Sequence, residues 1–202
     1  MSVTVDFYYD LVSPNTYMAN QVVPDLAKRT GAQFAYIPVL LGGIMNATGN
    51  TPPFILHAPV KEKMAYGALE LERFVKRHAL RRYKFNTHFP MNSLLMMRGA
   101  IAAENQGNLL AYLNAGERLV WEQGLKMDDP EVFVAGFTAE GLNGAELLES
   151  TQDADVKRRL IANTEAAVAR GVFGVPTFFV GDEMYFGKDR LNGLEQEIVS
   201  NR

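Results

Sequence analysis

The chain has 202 residues, 48% of them hydrophobic, with 23 acidic side chains against 20 Lys and Arg and a net charge of −3. That length suits one large domain or two small ones and can bury a sizeable core; the absence of a basic stripe argues against a nucleic-acid protein, and no apolar run approaches a membrane span. There is no cysteine, so the chain forms no disulfide and no thiolate of its own, and any thiol chemistry must come from a ligand.

Residues 2–9 alternate and then run apolar through Val3, Val5 and Phe7, which predicts a buried strand. Asp6 and Asp10 stand where a secretory signal would be basic, so a cytoplasmic protein is expected. Ser13-Pro14 is a helix start, Ser at the N-cap and Pro at the first helical position. The helix predicted over 13–29 carries a stripe of Tyr17, Val22, Val23, Leu26 and Ala27, with Pro24 expected to kink it and Gly31 to end it. A second strand is predicted over 32–41, at a sheet edge because of Pro38. A β-α-β unit of this spacing makes a parallel pair with a right-handed crossover. Gly42-Gly43 breaks the pattern, and 44–59 reads as an irregular polar loop.

The middle is helical. Helices are predicted over 60–78, 91–105, 108–124 and 153–170, with another opened by Asp129-Pro130. After Gly171 the pattern returns to sheet: a strand over 175–180, a turn at Gly181-Asp182, an antiparallel return over 183–186 and a closing helix over 190–199. The order β-α-β, helices, β-β-α is a thioredoxin-like α/β arrangement with an all-helical insertion. The boundaries are expected at 1–59 and 169–202 for the thioredoxin-like parts and 60–168 for the insertion. A ligand cleft is expected between the insertion and the start of the first helix.

His57, His78 and His88 lack metal-ligand spacing, so no metal site is expected. There is no G-x-S-x-G elbow, and the glycines at 171 and 174 precede a strand rather than open a helix, so they are not a dinucleotide fingerprint. Met91, Met96 and Met97 read as core, or as a wall for a flat apolar substrate. Lys61 and Lys63 sit at a helix start, unfavourable against the dipole unless an anion is near. Lys188-Asp189-Arg190 after Gly187 reads equally as a helix-capping segment, with Asp189 as the N-cap of the last helix. Ser13 delivers a hydroxyl to the positive end of a helix, which favours an anion; taken alone, the pair reads as a cap and nothing more.

Five segments in order resemble one family: residues 6–14, 43–50, 88–92, 171–177 and 186–191. The chain resembles the DsbA-like branch of the thioredoxin superfamily that holds 2-hydroxychromene-2-carboxylate isomerases and kappa-class glutathione transferases. The resemblance implies a serine in place of the first redox cysteine, with glutathione supplying the sulfur. By position, Ser13 would hydrogen-bond that sulfur, and Val175, before a cis-Pro176, would offer its backbone to the cysteinyl part. Asp189 and Lys188 would hold the γ-glutamyl end, Asn50 would reach in from its loop, and Lys63, with Lys61 as the alternative, would meet the glycyl end. The family further implies a homodimer, a small aromatic carboxylate as substrate, and a place in aromatic-compound catabolism such as naphthalene degradation. The isomerase group is favoured over the transferases, with a non-catalytic glutathione-binding protein as the remaining alternative. Asn15, where an aromatic residue is usual, and Lys188, where a smaller polar one is, depart from the pattern.

An unperturbed thiol titrates near 8.5. A hydroxyl donated to a thiolate is worth about 1.5–3 kcal/mol, about one to two pKa units, and the helix end adds up to about 1 kcal/mol. One serine at this position is therefore enough to ionise most of a bound thiol at neutral pH.

Overall fold

The structure, a computed structural model, describes residues 2–201. β1 (Thr4–Tyr9) and β2 (Gln33–Pro38) run parallel, Thr4 opposite Gln33 and Tyr9 opposite Pro38, with α1 (Pro14–Thr30) between them. β3 (Thr177–Val180) lies antiparallel on the other side of β1, and β4 (Glu183–Phe186) returns beside it. The sheet order is β2-β1-β3-β4, which puts Pro38 on an edge strand, where its missing N–H breaks no ladder. β1 is central and buried on both faces. Val5, Phe7 and Tyr9 enter the main core while Tyr8 enters a smaller one with Val39, Ile44, Ala167, Val175 and Phe179.

The local signals at α1 act as expected. Ser13 caps it, Pro14 opens it, and Gly31 closes it at φ 66°, a left-handed conformation that suits glycine. The helix runs through Pro24 as one element.

Between β2 and β3 the chain is helical, giving the thioredoxin-like sheet a large helical insertion. α4 (Lys61–Arg77), α5 (Leu94–Asn105), α6 (Leu109–Trp121), α7 (Pro130–Ala139) and α9 (Ala154–Ala169) match the predicted helices within a few residues. α5 is almost wholly buried, and Met96 and Met97 are fully enclosed; they are core and not a substrate wall. α10 (Leu191–Ser200) closes the chain against α1.

Three expectations fail. The polar loop over 44–59 contains α2 (Leu41–Thr48) and α3 (Pro53–Leu56). Gly42 and Gly43 do not stop α2, because a carboxylate holds its first amide: Asp10 Oδ2 accepts from Leu41 N at 2.9 Å. A Cβ at Gly43 would sit 3.1 Å from Thr164 Cγ2, so the glycine serves the packing of α2 on α9. α8 (Gly144–Ser150) is absent from the predicted helices, although Asn143 and Glu146 cap it reciprocally. Asp189 is not the N-cap of α10. Lys188–Arg190 form a 3-10 turn and Arg190 takes the cap position, because the Asp189 carboxylate is drawn to Lys188 Nζ at 2.7 Å.

Candidate functional site

β1 and α1 meet in the turn 10–13, and the turn decides where Ser13 points. Its hydroxyl oxygen accepts from Thr16 N at 3.3 Å and its proton is donated to the Val175 carbonyl at 3.4 Å. The second bond is long for O–H···O, so the proton is readily redirected to a better acceptor. The Val175–Pro176 bond is cis. Val175 is 6% exposed, and its amide donates to no group among the described residues. A buried, unused backbone N–H beside a serine hydroxyl at a helix N-terminus suits an extended ligand that pairs with the chain like an added strand.

The turn is anchored by Asp10, a residue to which the sequence pattern assigns no structural role. Asp10 is fully buried and accepts three hydrogen bonds: from Val12 N at 3.0 Å, Leu41 N at 2.9 Å and Ser93 Oγ at 2.6 Å. One carboxylate thus ties the Ser13 turn to the start of α2 and the start of α5. Burial pushes its pKa above the usual carboxylate range while the three donors pull it back. Two further bonds fix the turn to the insertion: Trp121 Nε1 donates to Leu11 O at 2.8 Å, and Leu11 N donates to Met97 Sδ at 3.4 Å. Around Trp121 stands an aromatic cluster that includes Tyr83, Phe85 and Phe89, with Tyr17, one turn along α1 from Ser13, packed against Tyr83 at 5.6 Å and Phe54 of α3 against Phe89 at 5.4 Å.

Asn50 follows α2, and its Nδ2 donates to Phe173 O at 2.7 Å. It therefore braces the loop that carries Val175, which links Asn50, Val175 and Ser13 in one structural unit. Lys188 and Asp189 stand apart from it. They line a polar cavity of about 370 Å³ between α1, α4 and α10, with Gln21, Glu70 and Phe74 among its other walls. Lys188 is buried, its ammonium paired with Asp189 and 5.1 Å from the Phe74 ring centroid, whereas the Asp189 side chain is 63% exposed. Lys61 and Lys63 are exposed in the first turn of α4; neither lines this cavity nor forms an ion pair among the described residues. Ser13 borders neither this cavity nor a second one at α2, α5 and α9, so the expected cleft at the helix start is not one of these two.

Behind α1, Glu117 of α6 is 1% exposed. Its Oε2 accepts from Asn20 Nδ2 at 2.9 Å and Gln21 Nε2 at 3.0 Å, and Oε1 has no partner. Burial pushes the carboxyl up to about 8, against the pull of the two amides. Between about 4.5 and 8 the folded protein therefore holds a proton that the unfolded chain releases, so stability falls as pH rises through that window. The expected loss is on the order of 5 kcal/mol. Urea unfolding of wild type and Glu117→Gln at about pH 5 and about pH 8.5 should show this component in the wild type alone; equal pH dependence in both would contradict it.

The DSBA-like thioredoxin domain family matches residues 4–199. A 2-hydroxychromene-2-carboxylate isomerase of Pseudomonas putida is 32% identical over 96% of the chain and 93% of its own length. The chain belongs to the DsbA-like family, in the branch of these isomerases and the kappa-class transferases. Glutathione S-transferase kappa 1 of Homo sapiens is 28% identical over 95% of the chain and 88% of its own length. Among solved structures, a 2-hydroxychromene-2-carboxylate isomerase superposes with a TM-score of 0.82 at 30% identity, covering 96% of this chain and 94% of that one. A probable DsbA oxidoreductase of Streptomyces coelicolor shares the fold at 18% identity and a TM-score of 0.72. No helix among the described residues is long and apolar enough to cross a membrane.

Proposed function

We propose that the protein is a glutathione-dependent isomerase of 2-hydroxychromene-2-carboxylate or a related aromatic carboxylate. The observation that carries the reading is the Ser13 hydroxyl at the start of α1, bonded to the carbonyl of Val175, whose own amide is unused among the described residues beside cis-Pro176. Bound glutathione supplies the nucleophilic sulfur that a cysteine-free chain lacks, able to add to a conjugated carbon so that the double bond becomes a single bond that rotates or recloses, and to leave again as the double bond re-forms. The rest is done by the chain. Ser13 exchanges its long bond to Val175 O for a charge-assisted one to the sulfur and keeps its oxygen on Thr16 N, so the hydroxyl stays aimed. The α1 N-terminus adds its partial positive charge.

The Val175 amide takes the cysteinyl part of the tripeptide, with Asn50 holding the loop in place. Lys188 and Asp189 take the γ-glutamyl end, the ammonium meeting its α-carboxylate and the exposed carboxylate its α-amine. The nearest α1 residue of that cavity, Gln21, lies about 12 Å along the helix axis from Ser13, comparable to an extended tripeptide of about 10 Å. Lys63, or Lys61 beside it, meets the glycyl carboxylate once α4 approaches the ligand. Phe54, Phe85 and Phe89, the outer rings of the cluster over the buried Trp121, are the wall on which a flat substrate stacks. A cytoplasmic homodimer working in aromatic-compound catabolism completes the reading.

A kappa-like transferase, in which the same thiolate stays on an electrophilic acceptor, is the second reading, favoured by the identity with Homo sapiens kappa 1 over nearly the whole chain. Purified protein assayed with glutathione and either a hydroxychromene carboxylate or a chlorinated aromatic acceptor separates the two. Isomerisation without consumption of glutathione is the expected result; conjugate formation alone would establish the transferase. Binding without either reaction would leave a glutathione-binding protein.

A further inference from the structure

The second cavity measures about 450 Å³, within the range of small-molecule pockets, and lies against α2, α5 and α9. None of Ser13, Asn50, Val175, Lys188 or Asp189 borders it. Its walls are aliphatic, built from Leu40, Ala47, Leu94, Leu160, Ile161 and Val168, with no aromatic ring.

Four polar side chains reach it. Thr164 is satisfied: Oγ1 donates to Leu160 O at 2.7 Å and accepts from Leu40 N at 3.0 Å. Lys157 donates to Gln152 at 3.1 Å. Glu165 is exposed at the rim. Arg98 differs from these. Its Nε is sealed from solvent without a hydrogen-bond partner, and no ion pair engages its guanidinium among the described residues. The sealed Nε is out of a ligand's reach, so a ligand in the cavity meets the other guanidinium nitrogens, which also have no partner among the described residues.

The acceptor that matches a guanidinium fork is a carboxylate. The walls select the group attached to that carboxylate. A flat ring would find no ring to stack on, whereas an alkyl chain is contacted by branched side chains from three helices. We propose that this cavity binds an alkyl carboxylate of medium chain length, with its head on Arg98 and its chain between α2 and α9. Lys157 adds positive charge and Glu165 opposes it, so Glu165 limits the affinity. The site is independent of the glutathione reading, since it shares no residue with it.

Calorimetric titration of the full chain with decanoate, decanamide and acetate tests the proposal. Decanoate should bind saturably with glutathione present at saturation, and decanamide and acetate should bind at least about tenfold more weakly. Arg98→Gln should weaken decanoate about tenfold or more while leaving decanamide unchanged, and Glu165→Gln should strengthen decanoate about threefold. Ala47 is an exposed position of α2, so Ala47→Leu should fold normally and exclude decanoate by filling the space. No saturable binding, displacement by glutathione, or binding indifferent to Arg98→Gln and Ala47→Leu would each overturn it. So would an Ala47→Leu variant that dissociates a dimer yet still binds decanoate, which would assign this face to a second copy of the chain.

Discussion

Replacing Ser13 with alanine should leave glutathione bound and lower turnover about 10- to 100-fold. The figure comes from the charge-assisted hydrogen bond lost, about 1.5–3 kcal/mol, at about 1.4 kcal/mol per tenfold in rate. Binding should persist because the Val175 amide and the Lys188–Asp189 pair are untouched. Alanine also removes the cap that Thr16 N uses, which costs about 1 kcal/mol of stability. Ser13→Gly separates the two effects: glycine at an N-cap costs only a few tenths of a kcal/mol, yet it lacks the hydroxyl. Steady-state kinetics should therefore show the same loss of turnover in both variants and a smaller stability loss in the glycine one. Unchanged turnover in either would reduce Ser13 to a helix cap.

Replacing Asp10 with alanine should cost about 3–5 kcal/mol in urea unfolding. Three donors, Val12 N, Leu41 N and Ser93 Oγ, lose their acceptor inside the protein, and each buried group left without a partner costs about 1–3 kcal/mol. The sum falls short of three full penalties because the carboxylate's own burial, visible in its raised pKa, is relieved at the same time. Ser93→Ala removes one donor and leaves the carboxylate with two, so it should cost about 1–2 kcal/mol. If Asp10→Ala cost no more than Ser93→Ala, the turn would not depend on this carboxylate. The functional consequence is indirect: Asp10 touches no reacting atom but holds Ser13 against Val175, and turnover should fall in the folded fraction as well.

How far the sequence reaches is best seen at particular residues. Ser13-Pro14 and Gly31 bracket α1 because capping and backbone conformation are local properties, and Pro38 marks an edge strand for the same reason. α2 is hidden in the sequence because its stabilising contacts are not local. Gly42-Gly43 weakens a helix in isolation, and the compensation comes from Asp10, 31 residues earlier, and from Thr164, over a hundred residues later. Asp10 itself is visible only as the end of an apolar run; two of its three donors lie 31 and 83 residues away. Lys188 reads from sequence as an odd substitution in a ligand-binding turn. Its burial over Phe74, and the pairing that draws Asp189 away from the cap of α10, depend on where α4 packs. Arg98 and Glu117 look like ordinary helix-surface charges, and only the packed structure shows that each has a buried polar atom without a partner.

A borrowed thiol ionised at the start of α1 is seen most directly in a pH titration of ultraviolet thiolate absorbance with reduced glutathione bound. The chain contributes no thiolate, and tyrosine ionises near 10 or above, so the signal around neutral pH belongs to the ligand. The midpoint should lie about one to two units below the free value near 8.5, returning most of the way in Ser13→Ala. A midpoint at the free value in the wild type would contradict that ionisation.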